Sequence, residues 1–181
     1  TALSVPVPDI DRTDYFLILG ANPLVSNGSM MTAADFPGRL RELRRRKGRV
    51  VVVDPVRTRT AAASNEHLPI RPGTDALWLA SLAHLVTQHT CLAAAEPWID
   101  SAQWDQVTSG LADFSPEATA VFTGIDAAVT RRIAQELLDA PSAAVYGRMG
   151  TTTSGLTNDD AVTPMATLAS WLIDIINIAI G

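Results

Sequence analysis

Hydrophobic residues along this 181-residue chain fall into short continuous runs and longer helical repeats. Two runs, residues 15–19 and 50–53, contain only apolar or aromatic side chains, which is typical of strands buried on both faces of a parallel sheet. Shorter runs at residues 67–70 and 142–146 predict two more strands, and Pro69 places the third strand near an edge. Strands separated by helices predict an open, doubly wound α/β fold, mainly parallel, with helices on both faces.

Apolar spacing predicts the helices between these strands. Longer helices are predicted at residues 36–47, 75–89, 125–138 and 167–180, and a short helix or turn at residues 58–64. An extended lead-in is predicted at residues 1–14, and polar loops at residues 20–32 and 151–164. We predict a single domain over residues 1–181, with a helical insertion at residues 91–124 that contains Trp98 and Trp104.

Composition narrows the function classes. Apolar residues make up 47% and charged residues 18%, which supports a folded core, and the net charge of −5 offers nucleic acid no broad basic surface. The single cysteine, Cys91, excludes a disulfide framework and a cysteine-rich metal site, so we expect it to be a small buried apolar residue. The three histidines form no metal-binding spacing. We therefore predict no metal-ligating residue in this chain.

Neither end of the sequence shows a recognisable targeting signal or membrane-spanning segment. No secretory signal is visible near Thr1, so we expect a cytoplasmic location. The apolar segment 165–180 contains Asp174 and Asn177 and is shorter than the roughly 20 residues of a membrane-spanning helix. We expect no membrane insertion. The chain begins without Met and stops abruptly at Gly181, so we expect it to be cut from a longer protein.

Ligands of parallel sheets bind at the carboxyl ends of the strands. Four segments are predicted to leave the strands at that edge: residues 20–27, 54–58, 71–75 and 147–153. In the first segment, Gly20 and the small Ala21 allow the backbone to approach a ligand closely, and exposed amides there suit phosphate.

The other segments supply polar and charged groups. Asp54 ends the second strand, where dinucleotide folds place an acid that accepts from a ribose hydroxyl. Arg57 is suited to pair with a pyrophosphate and Thr58 to donate to it. Guanine presents two adjacent donors, which either Asp54 or Asp75 is suited to accept. Three structural alternatives remain: Asp54 as an ordinary turn residue, Asp75 as a helix N-cap and Met149 as a packing residue.

Taken together and in order, these segments resemble the molybdopterin oxidoreductase family, the formate dehydrogenases, nitrate reductases and relatives that bind bis(molybdopterin guanine dinucleotide). The resemblance is carried by Ile18-Leu-Gly-Ala-Asn-Pro23, Val52-Val-Asp-Pro-Val-Arg-Thr58, Glu66-His-Leu-Pro-Ile-Arg-Pro-Gly-Thr-Asp75, Ala80-Ser-Leu-Ala-His84, Tyr146-Gly-Arg-Met-Gly-Thr151 and Leu168-Ala-Ser-Trp171. It covers nearly the whole chain, and least clearly residues 91–115.

The resemblance implies a Rossmann-like domain that holds one guanine dinucleotide. For the phosphate and ribose it implies contacts at Leu19, Gly20, Ala21, Asn22, Pro23 and Ser26, and it implies a second contact segment at Asp54, Pro55, Arg57 and Thr58. On the guanine side it implies contacts at Gly73, Thr74 and Asp75, and nearer the pterin at Met149 and Thr153. The sequence departs from the family at Thr153 and Ser154, where relatives often carry Gln. It also has Val56 where Arg is usual, which shifts the expected cationic contact to Arg57.

The resemblance also implies what lies outside this chain. The molybdenum or tungsten ligand and the Fe–S cysteines of the family belong to other regions, so this chain alone is not expected to be catalytic. The implied partners are the remaining domains of a formate dehydrogenase-like oxidoreductase and an electron-transfer subunit. An alternative function is a degenerate, non-catalytic interaction module of the same fold, which uses the basic residues 39–47 as its contact. A third is another nucleotide-binding enzyme domain, such as the central domain of a thiamine-dependent enzyme.

Overall fold

A computed structural model of the chain describes residues 7–28, 31, 33–90, 98–153, 155–158 and 161–181. Its main sheet has four parallel strands in the order β3-β2-β1-β4: β1 (Tyr15–Leu19), β2 (Arg49–Val53), β3 (Glu66–Leu68) and β4 (Ala143–Gly147). Leu19 lies beside Val53 and Gly147, and Val53 lies beside Leu68. The four strands therefore end level with one another, as expected, and β3 lies at an edge of the sheet.

Alternate residues of β1 face two separate cores. Tyr15, Leu17 and Leu19 belong to the larger core, whereas Phe16 and Ile18 belong to the smaller one on the opposite face. All five side chains are buried. This two-sided burial explains why the strand shows a continuous apolar run instead of alternation.

Helices cover both faces, which confirms the doubly wound α/β fold. They are α1 (Pro23–Ser26), α2 (Phe36–Arg45), α3 (Arg59–Ala63), α4 (Asp75–His89), α5 (Ser101–Gly110), α6 (Pro116–Thr123), α7 (Ala127–Asp139), α8 (Met149–Thr152) and α9 (Ala166–Ile180). The second and third of these helices, α2 and α3, contribute to the smaller core, and α4, α7 and α9 contribute to the larger core.

Three regions differ from the sequence expectation because tertiary contacts order them. The predicted loop at residues 20–32 contains the single turn α1. The predicted loop at residues 151–164 contains two antiparallel strands, β5 (Gly155–Asn158) and β6 (Ala161–Pro164). The described part of the lead-in forms a turn in which the Thr13 hydroxyl donates to the carbonyl of Asp9 (2.7 Å), and Ile10 is buried in the smaller core.

The predicted helical insertion at residues 91–124 is described from Trp98 onward. It contains α5 and α6, and Trp104 and Val107 pack into the larger core. Helix α5 begins with a capping box in which Asp100 and Gln103 exchange hydrogen bonds. The expectation for Cys91 and the departure at Ser154 lie outside the described residues.

Charged side chains at the amino ends of the strands pair with one another. Arg49 contacts Glu66 (2.5 Å) and Glu136 (3.1 Å), and Arg132 contacts Glu66 (2.6 Å) and Glu136 (2.8 Å). The hydroxyl of Tyr15 donates to Glu136 (2.7 Å). Burial, reinforced by Glu136, raises the pKa of this phenol. We call these five residues the amino-edge cluster.

Across the ranges that the structure describes, no helix is both long and apolar enough to cross a bilayer. Within the same ranges, no three His, Cys, Asp or Glu side chains converge in a way that would hold a metal ion.

Candidate functional site

A pocket lies where the strand order reverses. Because the chain crosses from β3 to the far side of β1, the carboxyl ends of β1 and β4 form a topological switch point, the usual ligand position in such sheets. A pocket of about 240 Å³ opens there. Its lining residues are Gly20, Ala21, Asn22, Pro23, Val25, Ser26, Gly28, Met31, Tyr146, Arg148 and Met149. We call it the switch-point pocket; it brings together the predicted contacts of residues 20–23, Ser26 and Met149.

Gly20 is required by the fold as well as by any ligand. Its φ is +54°, and a Cβ there would lie 2.5 Å from the amide nitrogen of Thr151 and 2.7 Å from the Cα of Gly150. The amide of Gly150 donates to the carbonyl of Gly20 (2.9 Å). The turns after β1 and β4 therefore pack backbone against backbone, which gives Gly20 a role that the sequence alone did not indicate.

The side chain of Asn22 fixes the wall of the pocket. Its Oδ1 accepts from the hydroxyl (2.7 Å) and the amide (3.3 Å) of Thr60, and the Thr60 hydroxyl accepts from the amide of Leu24 (3.1 Å). These bonds tie α1 to α3. Leu19, by contrast, does not line the pocket: its side chain is buried in the larger core, so only its backbone reaches this edge.

Beside the pocket, the ends of β2 and β3 lead to two carboxylates. Asp75 is 4% exposed, and its pKa is raised to about 6, mainly because of burial. Two smaller effects oppose each other: a hydrogen bond from its own amide lowers the pKa, and the nearby charge of Asp54 raises it. Neither acid forms an ion pair with any residue in the described ranges. We call residues 54–58 and 73–75 the acidic flank.

The N-cap interpretation of Asp75 is wrong. Thr74 occupies the N-cap position of α4, and Asp75 is the first residue of that helix. The Thr74 hydroxyl donates to the carbonyl of Arg71 (2.7 Å) instead of accepting from a helix amide. The Asp75 carboxylate is therefore buried without a capping role.

The turn interpretation of Asp54 holds for one of its oxygens. Oδ1 accepts from the amide of Val56 (2.8 Å), which is an Asx turn. The Thr58 hydroxyl accepts from the amide of Ala61 (3.1 Å) as the N-cap of α3, and its proton remains available to donate. Pro55 and Arg57 are exposed, and Arg57 does not line the switch-point pocket.

The last predicted contacts lie at the junction with β5. Gly73 has a φ of +83°, and a Cβ there would lie 2.5 Å from the carbonyl oxygen of Gly155. Met149 is 56% exposed at the pocket, so its interpretation as a plain packing residue is wrong. Thr153 is exposed, and its hydroxyl donates to the Met149 carbonyl.

Arg148 is the charged pocket residue that sequence reasoning missed; Val25, Gly28, Met31 and Tyr146 also line the pocket and were not predicted. The Nε of Arg148 is buried and has no hydrogen-bond partner among the described residues. The signal was present in the sequence, because Arg148 directly follows a strand and is level with Gly20 at the sheet edge. Burial raises the pKa of the neighbouring Tyr146, and the charge of Arg148 opposes that shift.

Three of the six basic residues between 39 and 47 contact other groups of the chain, and the other three, Arg41, Arg44 and Lys47, are exposed. Arg39 pairs with Asp11, and Arg45 pairs with Glu42 (2.8 Å). Arg46 donates to two backbone carbonyls of the N-terminal turn (2.6 and 2.7 Å). These contacts favour a structural, solvated helix face over a docking surface.

Comparison with known proteins agrees with this geometry. The family model for molybdopterin oxidoreductases matches residues 1–169. The chain is 32% identical over 137 residues to the menaquinone reductase molybdopterin-binding-like subunit of Nitratidesulfovibrio vulgaris, covering 73% of this chain and 18% of that protein. It is 33% identical over 161 residues to the assimilatory nitrate reductase of Haloferax mediterranei, covering 81% and 20%.

More distant relatives share the fold. Formate dehydrogenase H of Escherichia coli is 23% identical over 151 residues, which cover 83% of this chain and 20% of that enzyme. The solved structure of acetylene hydratase from Pelobacter acetylenicus superposes with a TM-score of 0.76 at 19% identity, covering 97% of this chain and 22% of that one. The chain thus spans about a fifth of the length of these curated relatives.

Proposed function

Because the chain belongs to the molybdopterin oxidoreductase family, we propose that it binds the guanine dinucleotide part of a molybdopterin guanine dinucleotide cofactor. The observation that carries this proposal is the carboxylate of Asp75, which is 4% exposed and has no counter-ion in the described ranges. A buried carboxylate without a counter-ion is costly to the fold. A ligand with adjacent N–H donors offsets that cost.

Guanine has the donors that this carboxylate requires. Its N1–H and amino group lie side by side, so the two oxygens of ionised Asp75 accept both. The second oxygen of Asp54, which its Asx turn leaves available, is placed to accept from a ribose hydroxyl. Asp54 and Asp75 therefore take the nucleoside, and the switch-point pocket takes the phosphates.

The chain's own task is binding and orientation. In the intact enzyme, the molybdenum or tungsten and the pterin supply the redox chemistry. Met149, which lines the pocket, and Thr153, which lies four residues further on, are assigned to the pterin end of the cofactor by the family resemblance. The matched part of this chain covers 20% of each of two relatives, which supports further domains of an oxidoreductase, and an electron-transfer subunit, as its partners.

Calorimetric titration of the 181-residue chain with GDP tests the proposal. We expect binding at micromolar to millimolar concentrations, and Asp75→Asn to weaken it by about 1.5–3 kcal/mol, the contribution of hydrogen bonds to a charged group. Glu66→Gln, at the opposite end of the sheet, is the matched control and leaves the affinity unchanged. A folded chain that binds no GDP at millimolar concentration refutes the proposal.

A further inference from the structure

We infer that Arg148 is the cation that binds the phosphate groups of the nucleotide in the switch-point pocket. The identity of the nucleotide rests on the function proposed above, but the preference of the pocket for a phosphate-type anion rests on the geometry of Arg148 itself. The sequence had indicated a different residue, Arg57, for this task.

The lining of the pocket leaves Arg148 with no competing charge. Among the described residues that line it, Arg148 is the one that is charged; the others are glycine, alanine, asparagine, proline, valine, serine, methionine and tyrosine. No carboxylate therefore neutralises the guanidinium from within the pocket. A single cation in a partly enclosed pocket attracts an anion more strongly than the same cation on an open surface, because less water screens it.

The guanidinium also has hydrogen-bonding capacity that the fold does not use. Its Nε is shielded from water and has no partner among the described residues. The Nε atoms of Arg46 and Arg49 also lack a hydrogen bond of good geometry, but each lies near a carboxylate, at 3.8 Å from Asp14 and 3.1 Å from Glu136 respectively. Arg148, by contrast, forms no ion pair in the described ranges. Buried donors of native proteins are nearly always paired, so an unpaired one beside a pocket indicates a missing acceptor. Phosphate oxygens match the planar donor geometry of arginine.

The backbone of Arg148 is held firmly. Its amide donates to the Leu19 carbonyl (3.1 Å) and its carbonyl accepts from the amide (2.8 Å) and the hydroxyl (2.6 Å) of Thr151. The Cα is thereby fixed between β1 and the turn that contains Gly150. A side chain that starts from a fixed backbone loses less freedom when it binds a ligand.

Arg57 lacks each of these features. It is exposed in the loop after β2, it does not line the pocket, and the adjacent Val56 is 65% exposed. An exposed arginine is screened by water and salt, so its pairing with a phosphate contributes little. Substitution of Arg148 should therefore weaken phosphate binding, whereas substitution of Arg57 should have little effect. Arg57 is the matched control for Arg148.

The test is a competition assay with the 181-residue chain and a fluorescent N-methylanthraniloyl GDP probe. The competitors are guanosine, GDP and inorganic pyrophosphate at fixed ionic strength, with Arg148→Gln and Arg57→Gln as the variants. We expect Arg148→Gln to weaken GDP and pyrophosphate by about tenfold or more and to leave guanosine unchanged, as loss of a charge-assisted hydrogen bond implies. Arg57→Gln is expected to change each of them by less than about threefold.

The outcomes separate this inference from the proposed function. A loss of pyrophosphate binding in Arg148→Gln supports the inference even if guanosine does not bind. Unchanged GDP and pyrophosphate affinity in a folded Arg148→Gln chain overturns it, as does an equal loss of guanosine and GDP. If the unaltered chain binds pyrophosphate but not guanosine, the guanine assignment fails and the phosphate assignment stands. If it binds neither pyrophosphate nor GDP, both fail.

Discussion

Charged side chains are paired at one end of the parallel sheet and unpaired at the other. At the amino ends of the strands, Arg49, Glu66, Arg132 and Glu136 pair in a closed ring at 2.5 to 3.1 Å. At the carboxyl ends, Asp54, Arg57, Asp75 and Arg148 form no ion pair with any residue that the structure describes. Each end therefore carries cations and anions, and what differs is whether the fold pairs them.

The difference separates side-chain charges that stabilise the fold from those that are available to bind a ligand. Partly buried charges lose hydration, and an ion partner with good geometry offsets that loss. Glu136 is an example. Burial acts to raise the pKa of its carboxyl group, but hydrogen bonds from Tyr15 and Arg132 oppose burial and hold the pKa below its usual value. Asp75 has no ion-pair partner in the described ranges, and its own amide only partly opposes the effect of burial, so its pKa rises to about 6. Burial without an ion partner, as at Asp75 and at the Nε of Arg148, distinguishes the candidate site from the amino end of the sheet.

The largest effect is expected from the glycine contact beneath the carboxyl edge. A Cβ at Gly150 would lie 2.5 Å from the Cα of Gly20, where neither backbone has room to move, so Gly150→Ala should lower the free energy of unfolding by about 3 kcal/mol or more. Urea denaturation measures this. Gly110→Ala is the control, because no heavy atom lies within 4 Å of the added Cβ. A stable Gly150→Ala chain would show that the two turns do not pack as described.

An intermediate effect is expected at the opposite end of the sheet. Glu66→Gln removes the carboxylate that Arg49 and Arg132 share, with its side chain 24% exposed, so we expect a loss of about 2 kcal/mol in the free energy of unfolding. Glu42→Gln, which breaks the exposed pair with Arg45, should cost less than about 0.5 kcal/mol. Equal effects of the two variants in denaturant melts would show that the ring at the amino ends contributes no more than an exposed ion pair.

The smallest effect is expected in the pH dependence of Asp75. Because its folded pKa of about 6 lies above the ordinary value of 3.8, the folded chain holds this proton more tightly than the unfolded chain does. Its contribution to the free energy of unfolding is therefore complete below about pH 4 and lost as the pH rises to about 6. With allowance for the water that reaches the carboxylate, we expect a fall of about 1–2 kcal/mol across this window.

Denaturant melts of the parent chain and of Asp75→Asn, compared at several pH values, measure this term. The variant should lack the additional fall between pH 4 and pH 6, because asparagine does not titrate. GDP affinity in the parent should rise over the same window, since guanine binds the ionised carboxylate. Parallel stability profiles for the two chains would mean that Asp75 titrates normally and is not desolvated.

Local patterns in the sequence anticipated most of the framework. The continuous apolar runs of β1 and β2 identified strands buried on both sides, because no exposed face requires polar residues there. Level parallel strands then placed the predicted segments at one edge. The hairpin β5–β6 was not predicted, because its polar composition carries no periodic signal and only backbone pairing defines it.

The sequence by itself determined the fold class, the candidate ligand edge and the candidate acids, because these follow from hydrophobic period and from the residues that directly follow each strand. Only the tertiary structure decided which of those residues are free for a ligand. Asn22 bonds Thr60, Gly20 packs on Gly150, and Arg57 lies outside the pocket that Arg148 enters. Such distinctions depend on contacts between segments far apart in the chain, and no local pattern records them.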